Sequence, residues 1–179
     1  GHHISGKEFN TEVHRKDGIT SRIWNGVTLK CVPTIAIKGL AAVTSSFFAC
    51  LFAAFGKYDV VHVHAEGPAV FCWIPRLLGK RVILTVHGLD WAREKWKSSF
   101  GARYIRFGER IGVRFAHQII VLNANTREYF QQTYGRATRY IPNGVSRPHI
   151  LPPNLIRKQF SLEKDSYILF LGRIVPEKG

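Results

Sequence analysis

Methionine is missing from all 179 positions, the first included, and acids are scarce: 12 Asp and Glu stand against 26 Lys and Arg. The resulting charge of +14 and pI near 10.2 exclude an acidic interaction module and point to an anionic partner or surface. Cysteine is nearly absent. Cys31, Cys50 and Cys72 are an odd number at no metal-ligand spacing, and Cys50 and Cys72 lie in apolar runs. That excludes a secreted disulfide framework and fits reduced thiols in a cytoplasmic protein. The first 26 residues lack the apolar core of a secretory signal. No GxSxG, CxxC, Walker A or HExxH pattern occurs, so the common nucleophile, redox, nucleotide-loop and zinc signatures are excluded.

Long apolar runs are scarce as well. Gly39 to Gly56 is uncharged, but its 18 residues reach only about 27 Å as a helix, short of a ~30 Å hydrocarbon core. Thr44, Ser45 and Ser46 interrupt it and Lys38 and Lys57 flank it, so it reads as a buried helix of an α/β domain.

The remainder has a globular composition, 45% hydrophobic and 21% charged. After a polar opening with one short strand at 19–24, residues 27–33 read as an outer strand. A repeating unit then begins: helix 39–55, strand 59–65, a helix opened by Gly67-Pro68, and strand 81–87. Helix 100–116, strand 117–123, helix 124–134 and a short strand at 138–141 complete it. The strands are nearly continuous Val, Ile and Leu runs, which predicts burial on both faces of a parallel sheet. Right-handed crossovers make this a Rossmann-like, doubly wound α/β domain. Residues 142–153 carry four prolines and read as a linker. Tyr167–Leu171 reads as one more strand, with no sheet of its own to join. Domain boundaries follow: 1–145 for the first domain, 146–164 for the linker, 165–179 for the start of a second.

In open parallel sheets, ligands bind beyond the carboxyl ends of the strands. Strand 59–65 ends in Glu66-Gly67-Pro68, where Gly67 permits close backbone approach and Glu66 offers a hydrogen-bond acceptor or a base. Strand 81–87 ends in His87-Gly88, followed by Asp90, Trp91, Arg93, Lys95 and Trp96. An imidazole there faces the crevice, Asp90 suits a helix cap, and the indoles serve either sugar stacking or core packing. Arg103, Arg106, Arg110 and Arg114 recur on one face of helix 100–116, beside a row of Tyr104, Phe107, Ile111 and Phe115. Such a pair of stripes suits an anionic membrane surface, or equally a solvated helix over a core. His62 and His64 share one face of a strand, but no further ligand pattern closes a metal site around them.

The run DVVHVHAEGPAVFCWIPRLLGKRVILTVHGLDWAREKW, followed by GERIG, YGRATRYIPNGV and YILFLGRIVPEKG, resembles glycosyltransferase family 4. The HAEGP and HGLDWxRxKW segments are similar to bacterial rhamnosyl- and hexosyltransferases of surface-polysaccharide biosynthesis. The resemblance implies GT-B architecture, two facing Rossmann-like domains with the active site between them, the first holding the acceptor and the second the nucleotide-sugar. It implies a catalytic role for His87, and acceptor-side loop positions for Glu66, Gly67, Pro68, Gly88, Asp90, Arg93 and Lys95. Arg173 and Lys178 would bind the donor diphosphate, whose departing charge fixed cations stabilise without a metal. No metal or other cofactor is expected. The implied partners are a nucleotide-diphospho-sugar and a lipid-linked saccharide, met at the inner face of the cell membrane by a peripheral protein. The family's glycine-rich opening strand and its donor domain with an E-x7-E motif do not match any part of this chain, and the expectation is that it transfers no sugar alone. At Ala116-His117 and Leu122-Asn123 the family often has Asp and Ser. The competing reading is a non-catalytic basic module for anionic lipid or nucleic acid. Charge alone favours it, since no RNP-type strand or helix-turn-helix is present. A metal hydrolase using His62 and His64 is a third.

Overall fold

The computed structural model describes residues 21–24, 27–37, 39–92, 100–147, 152, 154–163 and 165–172. Ser21–Trp24 (β1) and Val27–Lys30 (β2) form an antiparallel hairpin with Trp24 opposite Val27. Leu40–Phe55 is α1. Val60–His64 (β3) leads into two short helices, Glu66–Ala69 (α2) and Trp73–Leu77 (α3), and then Arg81–Val86 (β4). A 3-10 turn at Asp90–Ala92 precedes Phe100–Phe115 (α4), Gln118–Val121 (β5), Ala124–Tyr134 (α5), Arg139–Tyr140 (β6) and Asn154–Phe160 (α6).

Strands β3, β4, β5 and β6 pair in chain order, all parallel. The fold is therefore α/β, a parallel sheet flanked by helices in the Rossmann manner. Because successive right-handed crossovers all step the same way, α2, α3, α4 and α5 fall on one face. Val61, Val63, Val82, Leu84, Val86, Ile119 and Val121 point into that layer and meet Ala69, Cys72, Ala116 and Phe130 in the main core. At ~25 cal/mol per Å² of apolar area, this continuous layer is the largest stabilising term the described residues offer. Two glycines let α4 lie close. A Cβ on Gly108 would stand 2.0 Å from the Glu66 carbonyl oxygen, and one on Gly112 would stand 2.4 Å from Leu84 Cδ2. Helix α5 is closed at both ends, by the Asn123 side chain accepting the Thr126 N–H at 2.8 Å and by Gly135 at φ 60°. Asn123 thus does what a serine would do at that cap.

Three expectations need correction. Strand β3 is not buried on both faces: Val61 and Val63 are buried, whereas Val60, His62 and His64 are exposed on the side away from the helices. Its alternation of valine with histidine is the sequence trace of that one-sided burial. Helix α1 is not a buried core helix. Cys50 and Ala54 pack on Ile74 of α3, while Phe52 and Phe55 are 48% and 74% exposed. Among the described residues no helix is long and apolar enough to cross a membrane. Among the described residues Tyr167–Leu171 pair with no strand, and Ile168 is fully exposed. An apolar run becomes a strand only where a ladder partner takes its N–H and C=O groups.

Candidate functional site

The carboxyl ends of β3 and β4 lie side by side, His64 opposite Thr85, so the residues that follow each strand emerge together. Beyond β3 the chain turns at Ala65, with φ 70° and ψ 159°. That region is nearly restricted to glycine, and the cost is about 1–3 kcal/mol. The turn is held by the Ala65 N–H donating to the Thr85 carbonyl at 2.9 Å. It aims Glu66 under the helix layer instead of out to solvent.

His87 follows β4 directly and is half-buried. Its Nε2 is 3.2 Å from His64 Nδ1, and the two rings stack with centroids 5.4 Å apart. His62 continues the row 4.2 Å from His64, and its Nε2 meets Thr85 Oγ1 at 2.7 Å. Burial, and then His87 nearby, hold the His62 imidazole below its usual pKa, which keeps it neutral at pH 7. Three imidazoles therefore line the exposed sheet face up to the rim. No group of three or more His, Cys, Asp or Glu among the described residues is arranged to hold a metal ion. Gly88, next along, has no atom of the described residues within 4 Å of where a Cβ would stand. Gly67 has slightly less room, with Tyr104 Cε1 at 3.9 Å from the corresponding position. Pro68 lies inside α2, in its first turn, where a missing N–H costs nothing.

The structure separates Glu66 from the role its position suggested. Its side chain is fully buried. Oε1 accepts the Asp90 N–H at 3.4 Å, and Oε2 has no partner among the described residues. Burial above all, with the Asp90 and Glu109 carboxylates adding to it, pushes its pKa up to about 7. Glu66 thereby ties the loop after β4 to the start of α2 from beneath. Asp90 is itself the first residue of the 3-10 turn.

Beside this loop is a cluster that helical spacing alone does not reveal. Glu109, on α4, is fully buried. Its Oε2 accepts the Trp91 indole N–H at 3.0 Å, and its Oε1 accepts the hydroxyls of Tyr129 at 2.8 Å and Tyr134 at 2.5 Å. Both tyrosines have raised pKa values, first from burial and then from these bonds. Arg106 lies over the Trp91 ring at 4.0 Å. Trp91 thus links the loop to α4 through Glu109 and packs beside Tyr129 of α5. The signal that could have found the cluster is an acid, Glu109, alone among four arginines on one helix.

Arg103, Arg106, Arg110 and Arg114 are all exposed along α4. Of the row beside them, Phe107 is exposed and Tyr104, Ile111 and Phe115 are half-buried; Ile105, Gly108, Glu109 and Gly112 form the buried face. Arg93, Lys95, Trp96, Arg173 and Lys178 lie outside the described residues.

A family model described as Glycosyltransferase Family 4 matches residues 14–147. Comparison with curated proteins gives no match.

Proposed function

The chain belongs to glycosyltransferase family 4, and from that premise we propose that the rim carrying His64, His87 and Gly88 is the acceptor-side wall of a sugar-transfer site. Glycosyl transfer is the activity of the family. In the finer reading, a hexosyl or rhamnosyl group passes from a nucleotide-diphospho-sugar to a lipid-linked saccharide of a surface polysaccharide, with retention at the anomeric carbon. The bond from that carbon to the diphosphate breaks, the acceptor oxygen bonds to the same carbon, and the acceptor proton leaves with the diphosphate. Arg173 and Lys178 neutralise the charge that develops on the leaving group.

The observation that carries this reading is His87: an imidazole at the carboxyl end of a parallel strand, supported by His64 and followed by Gly88. A ring nitrogen there can accept from or donate to a sugar hydroxyl, and its orientation is fixed by the histidine behind it. Gly67, Pro68 and Asp90 shape the loops on either side, with Arg93 and Lys95 following. Glu66 acts from below as a positioning residue. The exposed arginines of α4 face the anionic inner leaflet that presents the lipid-linked acceptor.

Calorimetric titration of the protein with octyl hexosides and octyl rhamnoside tests the assignment. Saturable binding of at least one glycoside is expected, weakened about tenfold in His87→Ala, the worth of one lost polar contact. Absence of binding across the series, or equal binding by His87→Ala, would contradict it.

A further inference from the structure

We propose that Glu109 is a positioning residue for the acceptor wall: through the Trp91 indole it fixes the 88–90 loop that stands beside His87. The consequence for sugar binding rests on the transfer-site reading above, whereas the hold on the loop rests on contacts that do not depend on it.

The chain after β4 is tied down at three successive residues, each by a different means. Leu89 packs against the main core. The Asp90 N–H donates to Glu66 from beneath. Trp91, in the 3-10 turn, donates its indole N–H to Glu109 Oε2. The first of these anchors is apolar and has no preferred direction; the third is directional. An indole N–H can only donate, so a fixed acceptor settles which way the ring lies. Arg106, one turn before Glu109 on α4, lies over the face of the same ring at 4.0 Å. Tyr129 of α5 adds a tilted ring contact at 5.9 Å. Edge, face and flank of one planar side chain are all held, and holding the ring holds the backbone of the turn that carries it.

Glu109 is in turn held by α5. Its Oε1 accepts the hydroxyls of Tyr129 and Tyr134, which leaves Oε2 aimed at the loop. Packing does not account for this arrangement. A buried carboxylate costs more than an apolar side chain of similar volume, and replacing buried charge by hydrocarbon is often neutral or stabilising. What the carboxylate supplies and hydrocarbon does not is direction. Three donors from the 3-10 turn and α5 converge on this one residue of α4. The loop is thereby ordered before a ligand arrives, which spares the ligand the cost of ordering it on binding.

The test compares Glu109→Leu, Glu109→Gln and Trp91→Phe with the 179-residue parent, and with Gly112→Ala, which disturbs α4 against Leu84 instead of at the loop. In Glu109→Gln the amide oxygen can take the indole N–H while the NH2 donates to a tyrosine hydroxyl, so this variant is the rescue. Hydrogen exchange at the Asp90 amide, followed by NMR without ligand, should run about tenfold faster in Glu109→Leu and Trp91→Phe. It should stay at the parental rate in Glu109→Gln and Gly112→Ala. Affinity for octyl glycosides should fall about tenfold in the same two variants and hold in the other two. Circular dichroism is the folding check, and Trp91→Phe, which keeps both tyrosine bonds to Glu109, decides the matter should Glu109→Leu not fold. Accelerated exchange with no glycoside bound by the parent supports the hold on the loop and removes the transfer-site reading. Unchanged exchange in the folded variants, equal acceleration in Gly112→Ala or Glu109→Gln, or accelerated exchange with undiminished glycoside affinity overturns the proposal.

Discussion

Glu66 is the residue whose environment most clearly departs from what its type prefers. Its carboxyl ionises near 4.5 in the unfolded chain and at about 7 when folded, because burial disfavours the charged form. Between those values the native state holds a proton that the unfolded state has lost. The stability from keeping it neutral is fully present below pH 4.5 and is lost as pH rises through 7, a span of about 3 kcal/mol at ~1.4 kcal/mol per unit. Urea unfolding at pH 5 and pH 8 should show this fall in the parent, and Glu66→Gln should remove most of it and be the more stable protein at pH 8. An unchanged slope in the variant would place the pH dependence elsewhere. One residue earlier, Ala65 holds a backbone conformation suited to glycine. Ala65→Gly should raise stability by about 1 kcal/mol, read as a higher thermal midpoint. Neither feature is legible in the sequence. AEGP reads there as an ordinary strand-to-helix turn, and both the strain and the burial arise only when α4 closes over it.

At the scale of elements, α4 does most to fix the site, and its two glycines are not equivalent. The Gly108 approach is to backbone, which cannot move aside, whereas Gly112 meets the far end of the Leu84 side chain. Gly108→Ala should therefore cost about 3 kcal/mol despite the gain in helix propensity, and Gly112→Ala about 1 kcal/mol, by denaturant unfolding. On its outer side the same helix presents the arginine row. Replacing Arg103, Arg110 and Arg114 by Gln should reduce co-sedimentation with phosphatidylglycerol vesicles at low salt and leave the fold intact. Arg106 is left out because it packs on Trp91. Unaltered vesicle binding would show that this face does not meet the membrane. The arginine row was legible because a period of 3.6 places those residues together whatever surrounds them. Glu109 was not, since its partners Tyr129 and Tyr134 belong to a different helix.

For the molecule as a whole, strand and helix periodicity led to a parallel α/β sheet, and β3, β4, β5 and α5 lie within a residue or two of where their patterns end. Continuous apolar runs bounded by Gly, Pro and Asn carry that information locally. Three things they do not carry are which face of β3 is covered, how far α1 is buried, and whether Tyr167–Leu171 finds a partner strand. Each depends on an element distant in sequence. The position of His87 was legible for a general reason: a histidine ending a buried parallel strand must emerge at the carboxyl rim, wherever the neighbouring strands lie. What stands beside it, the stacked His64, came only from the register of β3 against β4.

The rim at His87 is the centre of the account, and chemical-shift mapping with an uncharged octyl glycoside tests it most directly. The largest changes should fall on His87, Gly88, His64 and Gly67, with Arg81 and His117 at the far rim unmoved. Changes confined to that far rim, or none near His87 at saturating glycoside, would contradict it.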